Sequence, residues 1–283
     1  MSLNNFIPTI WSARILTALD KALVYGQSNV VNRDYEGEIR EPGDSVKINS
    51  IGDVTIKTYT KNTDIDSPED LNDASQMLNI DQSKYFNFAV DDIDRAQTKP
   101  NTVDEAMRRA AHGLRDKSDR FIASFHSLVP SANLLGDDTT PIVPTATTAY
   151  EKLVDLGILL TEADVPTEGR FCIVPPWFYG LLLKDDRFVR AGTAQTDAVL
   201  RNGMVGEASG FGILQSNNTP NTSGTKYKII AAHPMAFSYA EQILKVEAYR
   251  KEKGFSDGMK GLHVYGGKLV RPYAWAVLTA SKS

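Results

Sequence analysis

The chain has 283 residues, 42% of them hydrophobic and 23% charged, which excludes a wholly disordered polymer and allows one large domain or two ordinary ones. Thirty-one Lys and Arg against 35 Asp and Glu give a net charge of −4, so no strongly basic balance exists to drive binding to nucleic acid or an anionic membrane. The lone cysteine, Cys172, excludes an internal disulfide and zinc sites built on cysteine pairs.

A protein that folds in a reducing compartment is expected. Met1 to Asn5 carries no positive n-region, and charges at Arg14, Asp20 and Lys21 interrupt the following apolar stretch, so no signal peptide is read. No run of about 20 apolar residues occurs, so no membrane span is expected. Residues 9–25 read as an amphipathic helix: Trp11, Ile15, Ala18, Leu19, Ala22 and Leu23 share a face and Gly26 can end it. A polar stretch to Pro42 follows. A short helix on such an arm needs another surface to cover its apolar face.

From Asp44 the period changes to two. Val46, Ile48, Val54 and Ile56 line one face of a half-buried strand bent near Gly52-Asp53. Leu78, Ile80, Phe86, Phe88 and Val90 alternate along a returning strand. Between them, Asn62 to Ser75 holds Asp64, Asp66, Glu69, Asp70 and Asp73 with no Lys or Arg. The expectation is an extended hairpin with an acidic tip. A long hairpin is marginal alone, so it should lie on something.

Residues 101–128 form the clearest helix, with Val103, Met107, Ala110, Leu114, Phe121, Phe125 and Leu128 on one face and Pro130 beyond its end. At 1.5 Å per residue such a rod is about 40 Å long. Thr102 and Glu105 make a capping-box pattern, and Thr148 and Glu151 repeat it ahead of a helix to about Glu162. The Pro/Thr stretch 141–148 between them is a candidate boundary. A buried strand at 170–174 and a helix opened by Pro175-Pro176 follow. Strands are expected at 211–214, 227–231, 244–249, 262–265 and 273–278.

Several motifs lack their physical context. Gly254 to Gly258 matches G-x-S-x-G, but a strand-forming run follows in place of a helix, and only Asp257 is acidic between Ser256 and His263. A soluble serine hydrolase using Ser256 is therefore a remote alternative. Gly261, Gly266, Gly267 and Lys268 approach a phosphate loop, yet Leu269 stands where Ser or Thr would hold magnesium; a bent strand with a glycine bulge is expected. His112, His126, His233 and His263 are too scattered for a metal site and are read as surface or partly buried residues. The acidic tip has Ser75 where a calcium loop would place Glu. No cofactor or metal is expected.

Two segments carry more weight. One is Asn4 to Arg14 (NNFIPTIWSAR), continuing in Asn32 to Gly37 and Gly43 to Val46; the other is Lys260 to Pro272 (KGLHVYGGKLVRP). Both resemble the major capsid proteins of tailed bacteriophages, with the Hong Kong 97-type fold, and the order of elements between them fits. The resemblance implies an α+β chain that is not an enzyme. It divides into an N-terminal arm (1–43), an extension loop (44–92), a peripheral domain with a spine helix (93–146) and an axial domain (147–240). Residues 241–268 return to the peripheral domain, and 269–283 give the last axial strand.

The resemblance further implies self-assembly as hexamers and pentamers into an icosahedral shell around double-stranded DNA. Assembly would take place in the bacterial host cytoplasm, with a separate scaffolding protein, a portal and a possible cement protein. The arm pattern starts at Asn4, so no fused scaffolding domain is expected. Candidate assembly contacts are Trp11 and Arg14 in the arm, and Asp64, Asp66, Glu69 and Asp70 at the hairpin tip. An encapsulin, a nanocompartment shell around cargo enzymes, is the alternative. The founding type of this fold joins a loop Lys to a peripheral-domain Asn. Here Lys57 and Lys61 supply the amine, but no asparagine follows Asn221, so an uncrosslinked lattice is expected.

Overall fold

Continuous apolar runs and alternating runs lead to two different sheets. The computed structural model describes residues 24–35, 45–51, 73–91, 102–185, 206–251 and 256–282, with single positions between 56 and 64. Residues 9–23 of the expected N-terminal helix and the strand bend at Gly52-Asp53 lie outside the described residues; Val24 and Tyr25, its expected last residues, stand in a bend and a turn.

The elements in order are β1 (Ser45–Ile51), β2 (Asp73–Asn79), β3 (Gln82–Asp91), α1 (Thr102–Ser124), β4 (Leu134–Leu135), α2 (Ala149–Glu162), β5 (Phe171–Val174) and α3 (Pro176–Leu183). Then come β6 (Glu207–Ala208), β7 (Phe211–Gln215), β8 (Asn221–Thr222), β9 (Lys226–Ala232), β10 (Phe237–Arg250), β11 (Ser256–Leu269) and β12 (Trp275–Ser281).

The first sheet runs β4-β12-β9-β5-β7-β6, with β8 beside β9. Its middle strands are covered on both faces. All four residues of β5 are buried, and so are the first six of β12. That is why their sequences, FCIV and WAVLTA, are nearly unbroken apolar runs rather than alternating ones. Leu153, Leu156 and Leu160 of α2 and Phe178 and Leu182 of α3 are fully buried in the same core. Arg170 closes the end of α2. Its guanidinium donates to the carbonyls of Gly157, Val165 and Pro166 and to the Thr161 hydroxyl at 2.6–3.2 Å. Two of these acceptors, the Val165 and Pro166 carbonyls, lie just past the helix end, so the side chain ties the turn after α2 back to the helix.

The second sheet is β10-β11-β3, all antiparallel. β10 and β11 have 14 residues each, about 45 Å of extended chain. α1 lies across this sheet, burying Met107, Ala111 and Leu114 against Val246 and Met259, with Phe86 and Phe88 alongside. β1 and β2 pair as an antiparallel hairpin from Ser45↔Asn79 to Ile51↔Asp73. The hairpin base rests on its own chain: Val46, Ile48, Leu78 and Ile80 bury against Ala240 and Val264.

Several expectations are corrected. The returning run is two strands. It breaks at Ile80-Asp81, where β2 leaves β1 and β3 joins β11. Gly266 and Gly267 do not form a bulge: their pairing with Ala240 and Tyr239 is in register, and the irregularity lies between Ile243 and Lys245. Their missing side chains make room instead. A Cβ on Gly266 would fall 2.8 Å from the Ile80 Cα, and one on Gly267 would fall 2.5 Å from the Phe237 ring.

Thr148 does not cap α2 with its side chain. Its backbone is already helical, and its hydroxyl accepts from the Thr145 N–H at 2.8 Å. α1 tightens into a 3-10 turn over Phe125–Leu128, which turns Leu128 outward to 60% exposure. Ile122 and Ala123 are buried in its place.

The two sheets meet through aromatic rings. Phe121 meets Phe125 edge-on at 5.2 Å, Phe125 meets Phe237 at 4.9 Å, and Phe237 stacks on Trp275 at 5.8 Å. The chain of rings links α1, β10 and β12.

Candidate assembly surfaces

Residues 24–35 lead out of the N-terminal segment, and buried polar groups fix them in place. Asp119, on the inner side of α1, is 1% exposed. Its two carboxylate oxygens accept the backbone N–H groups of Val24 and Tyr25 at 3.2 and 3.1 Å. Burial pushes this carboxyl up to about 6, against the pull of the N–H donors and Arg115. Asn32 then runs beside β10, its N–H donating to the Phe237 carbonyl and its carbonyl accepting from Tyr239, both at 2.9 Å.

Arg33 pairs with the buried Glu241 of β10. Glu241 also accepts from the Tyr239 hydroxyl at 2.8 Å and lies 3.2 Å from Nε2 of His263. Burial alone would raise the Glu241 carboxyl; the His263 hydrogen bond and the Arg33 charge hold it below the usual range. His263, read from the sequence as a surface or partly buried residue, is fully buried. Strand alternation puts it on the face of Tyr265 and Gly261, the one signal that pointed inward. Asp119 and Glu241 were missed as anchors because nothing near them in sequence marks a buried charge.

The outward side of the second sheet is polar and aromatic. Lys260 pairs with Glu247 at 2.9 Å and sits 5.8 Å from the centre of the Tyr249 ring. The Tyr249 hydroxyl donates to Oδ1 of Asn87 at 2.8 Å. An open groove of about 340 Å³ is lined by Tyr85, Asn87, Glu247, Lys260, Gly261 and Leu262. β3 thus brings an asparagine into the sheet where none was expected from the C-terminal segment alone. Lysine, glutamate and asparagine stand together there.

Of the expected contact residues, Asp64 is described and exposed. Trp11, Arg14, Asp66, Glu69 and Asp70 lie outside the described residues.

The two candidate nucleophiles among the described residues, Ser256 and Cys172, are both buried. Ser256 is buried at the start of β11 and is followed by a strand, so the nucleophile elbow is not formed. Cys172 is fully buried, and burial pushes its thiol far up, which makes it unreactive. Among the described residues no three His, Cys, Asp or Glu come together to hold a metal ion. Nor is any described helix long and apolar enough to cross a membrane.

A family model described as phage capsid protein matches residues 53–278. The chain belongs to the phage capsid protein family. A solved structure from Mycobacterium phage Che8 is 33% identical, covers 90% of each chain and superposes with a TM-score of 0.72. The capsid of Cyanophage P-SCSP1u shares 16% identity over 87% of this chain and 85% of its own, with a TM-score of 0.67. The SrpI encapsulin from Synechococcus elongatus PCC 7942 shares 13% over 86% and 84%, with a TM-score of 0.53. No curated protein matches the sequence.

The α+β fold is therefore that of the Hong Kong 97-type capsids, and the function is that of a tailed-phage major capsid protein. Such a protein is a structural one, placed in the virion capsid within a shell of identical subunits.

Proposed function

We propose that the chain assembles as hexamers and pentamers into an icosahedral shell that encloses a double-stranded DNA genome, with no catalytic step of its own. The likeness to the Che8 structure over 90% of both chains carries this reading. Residues 1–43 act as the arm, 44–92 as the extension loop, 93–146 and 241–268 as the peripheral domain, and 147–240 with 269–283 as the axial domain. The pinned segment 24–35 supports an arm role: it holds a fixed root from which residues 1–23, with Trp11 and Arg14, depart. Assembly takes place in the host cytoplasm around a separate scaffolding protein and a portal, and a cement protein can join later.

Many weak contacts repeated around each subunit add up to a closed shell. The mild net charge of −4 suits a container whose DNA must leave, since a strongly basic wall would hold it. Electron microscopy of the purified protein, expressed alone and then with its scaffold, tests the reading. Closed particles are expected. A protein that remains monomeric in both would overturn it, and particles filled with a copurifying enzyme would favour the encapsulin.

A further inference from the structure

After β9 the chain passes between the two sheets twice, and both crossings are built alike. β9 leads to β10 through a 3-10 turn at Pro234–Ala236, and β11 leads to β12 through a 3-10 turn at Pro272–Ala274. Each turn opens on a proline, which brings no backbone donor. The two crossings are tied to each other by backbone. The His233 N–H donates to the Ala274 carbonyl at 3.3 Å, and the Ala236 carbonyl accepts from the N–H groups of Val270 and Arg271 at 2.8 and 3.0 Å.

His233 holds the first crossing. It stands just ahead of the turn, and its Nδ1 accepts from the Met235 N–H at 3.2 Å. That bond requires Nδ1 to carry no proton. Nε2 lies beside Gly169, where a Cβ would stand 3.7 Å from it, and the ring donates to the Glu168 carbonyl in the turn ahead of β5. A neutral imidazole protonated at Nε2 satisfies both bonds at once.

Ser, Thr, Asp and Asn are the usual caps of a helical turn. None of them exchanges a proton between pH 5 and 8, whereas an imidazole does. A second proton on His233 would sit on Nδ1 and face the Met235 N–H, donor against donor. The charged groups around the ring oppose it too: Arg170 beside β5 and Arg271 ahead of the second turn are both cations, while the Glu168 side chain is exposed. Burial and then the two arginines hold the imidazole below its usual range, against the pull of the Glu168 carbonyl.

We propose that His233 is an acid-released latch: as a neutral ring it fixes the crossing from β9 to β10, and on protonation it lets the turn Pro234–Ala236 open. The second crossing loosens with it, because the Ala236 carbonyl holds Val270 and Arg271. Phe237, next in the chain, keeps its ring contacts to Phe125 and Trp275, so the sheets stay joined while the backbone between them opens locally. The closed turn prefers the neutral ring. What the latch contributes is therefore fully present above about pH 6.5 and is lost as the pH falls from there through the lower value of the closed turn.

Hydrogen exchange of the full chain, read by mass spectrometry between pH 5 and 7.5 and corrected for the intrinsic rate at each pH, tests the latch. His233→Asn keeps a capping carbonyl that does not titrate. In wild type, protection of residues 233–236 and 270–274 should fall about fivefold on acidification, the size of one lost cap. In the variant it should stay level. An equal fall in both chains would put the titrating group elsewhere and overturn the proposal, and so would constant protection in wild type. If the variant does not fold, wild type alone decides: the fall must be confined to these two segments while β5 and β12 keep their protection, and a uniform loss along the chain would overturn the latch.

Discussion

Gly266 of β11 faces Asn79 at the end of β2 so closely that a Cβ would lie 2.3 Å from the Asn79 carbonyl oxygen. The approach is backbone to backbone, which no rotamer change can relieve. It is what seats the hairpin base on the second sheet.

Gly266→Ala should therefore destabilise the monomer by about 1–3 kcal/mol, the usual cost of overpacking a tight site. Gly113→Ala, in open space on a helix, should stabilise it by up to about 1 kcal/mol. Denaturant melts of the two variants check both signs. A Gly266→Ala protein as stable as wild type would show that β2 can move away at no cost.

Asp119 gives the stability a pH signature. Its carboxyl titrates near 6 in the folded chain and near 3.9 when unfolded. The folded state thus holds the proton more tightly. The stability this group contributes is fully present below the unfolded value and is lost as pH rises through about 6, by about 3 kcal/mol in all. Asp119→Asn has no such proton and leaves one N–H of Val24 or Tyr25 facing an amide NH₂. The advantage of wild type over the variant should be largest below about pH 4 and should shrink between about pH 4 and 6.5. Thermal melts across that range decide; a gap independent of pH would refute the assignment.

The Arg170 guanidinium donates to three carbonyls and a hydroxyl, all uncharged acceptors. Arg170→Met should cost about 2–4 kcal/mol by leaving buried carbonyls at the end of α2 unpaired. Arg170→Lys should recover less than half, because an ammonium lacks the planar fork that reaches them together. Equal stability of the Lys variant and wild type, measured by urea titration, would contradict this.

Arg33→Met should be worse for the fold than its modest exposure suggests. It leaves Glu241 buried without its guanidinium, and removing one partner of a buried pair costs about 3–5 kcal/mol; the partial exposure of Arg33 places it at the lower end. Limited proteolysis should then cut within residues 24–35 faster than in wild type. Arg33→Met combined with Glu241→Gln, which removes the stranded charge and keeps an acceptor for Tyr239 and His263, should restore part of the loss. Cleavage at the wild-type rate in the single variant would mean that Asn32 alone secures the segment.

The parts of the fold legible in the sequence were those where burial writes a pattern. Phe171 to Val174 and Trp275 to Ala280 are continuous apolar runs because both faces are covered. Val46 and Ile48 alternate because one face is. The change of partner at Ile80-Asp81 was not legible: two residues preserve parity, so Leu78 and Phe86 keep the same phase while pairing with different strands. The ties at Asp119 and Glu241 were hidden for another reason. A buried carboxylate is justified only by partners far away in sequence, 94 residues from Asp119 to Tyr25 and 208 from Glu241 to Arg33. Among the expected contact residues, Asp64 could be read as exposed because an acidic run without cations has nothing nearby to fold against.

The ring sequence Phe121–Phe125–Phe237–Trp275 has a mechanical consequence. It crosses the junction of the two sheets at the end of α1, where the chain passes from β9 of the first sheet to β10 of the second. A hinge there would have to pull apart edge-on and stacked rings packed at interior density, and dense interiors resist strain. Each subunit therefore behaves as a stiff tile across that joint. Curvature of the finished container is set by the angle at which neighbouring tiles meet, so substitutions along their rims should change particle diameter while substitutions among these rings should change how many tiles survive.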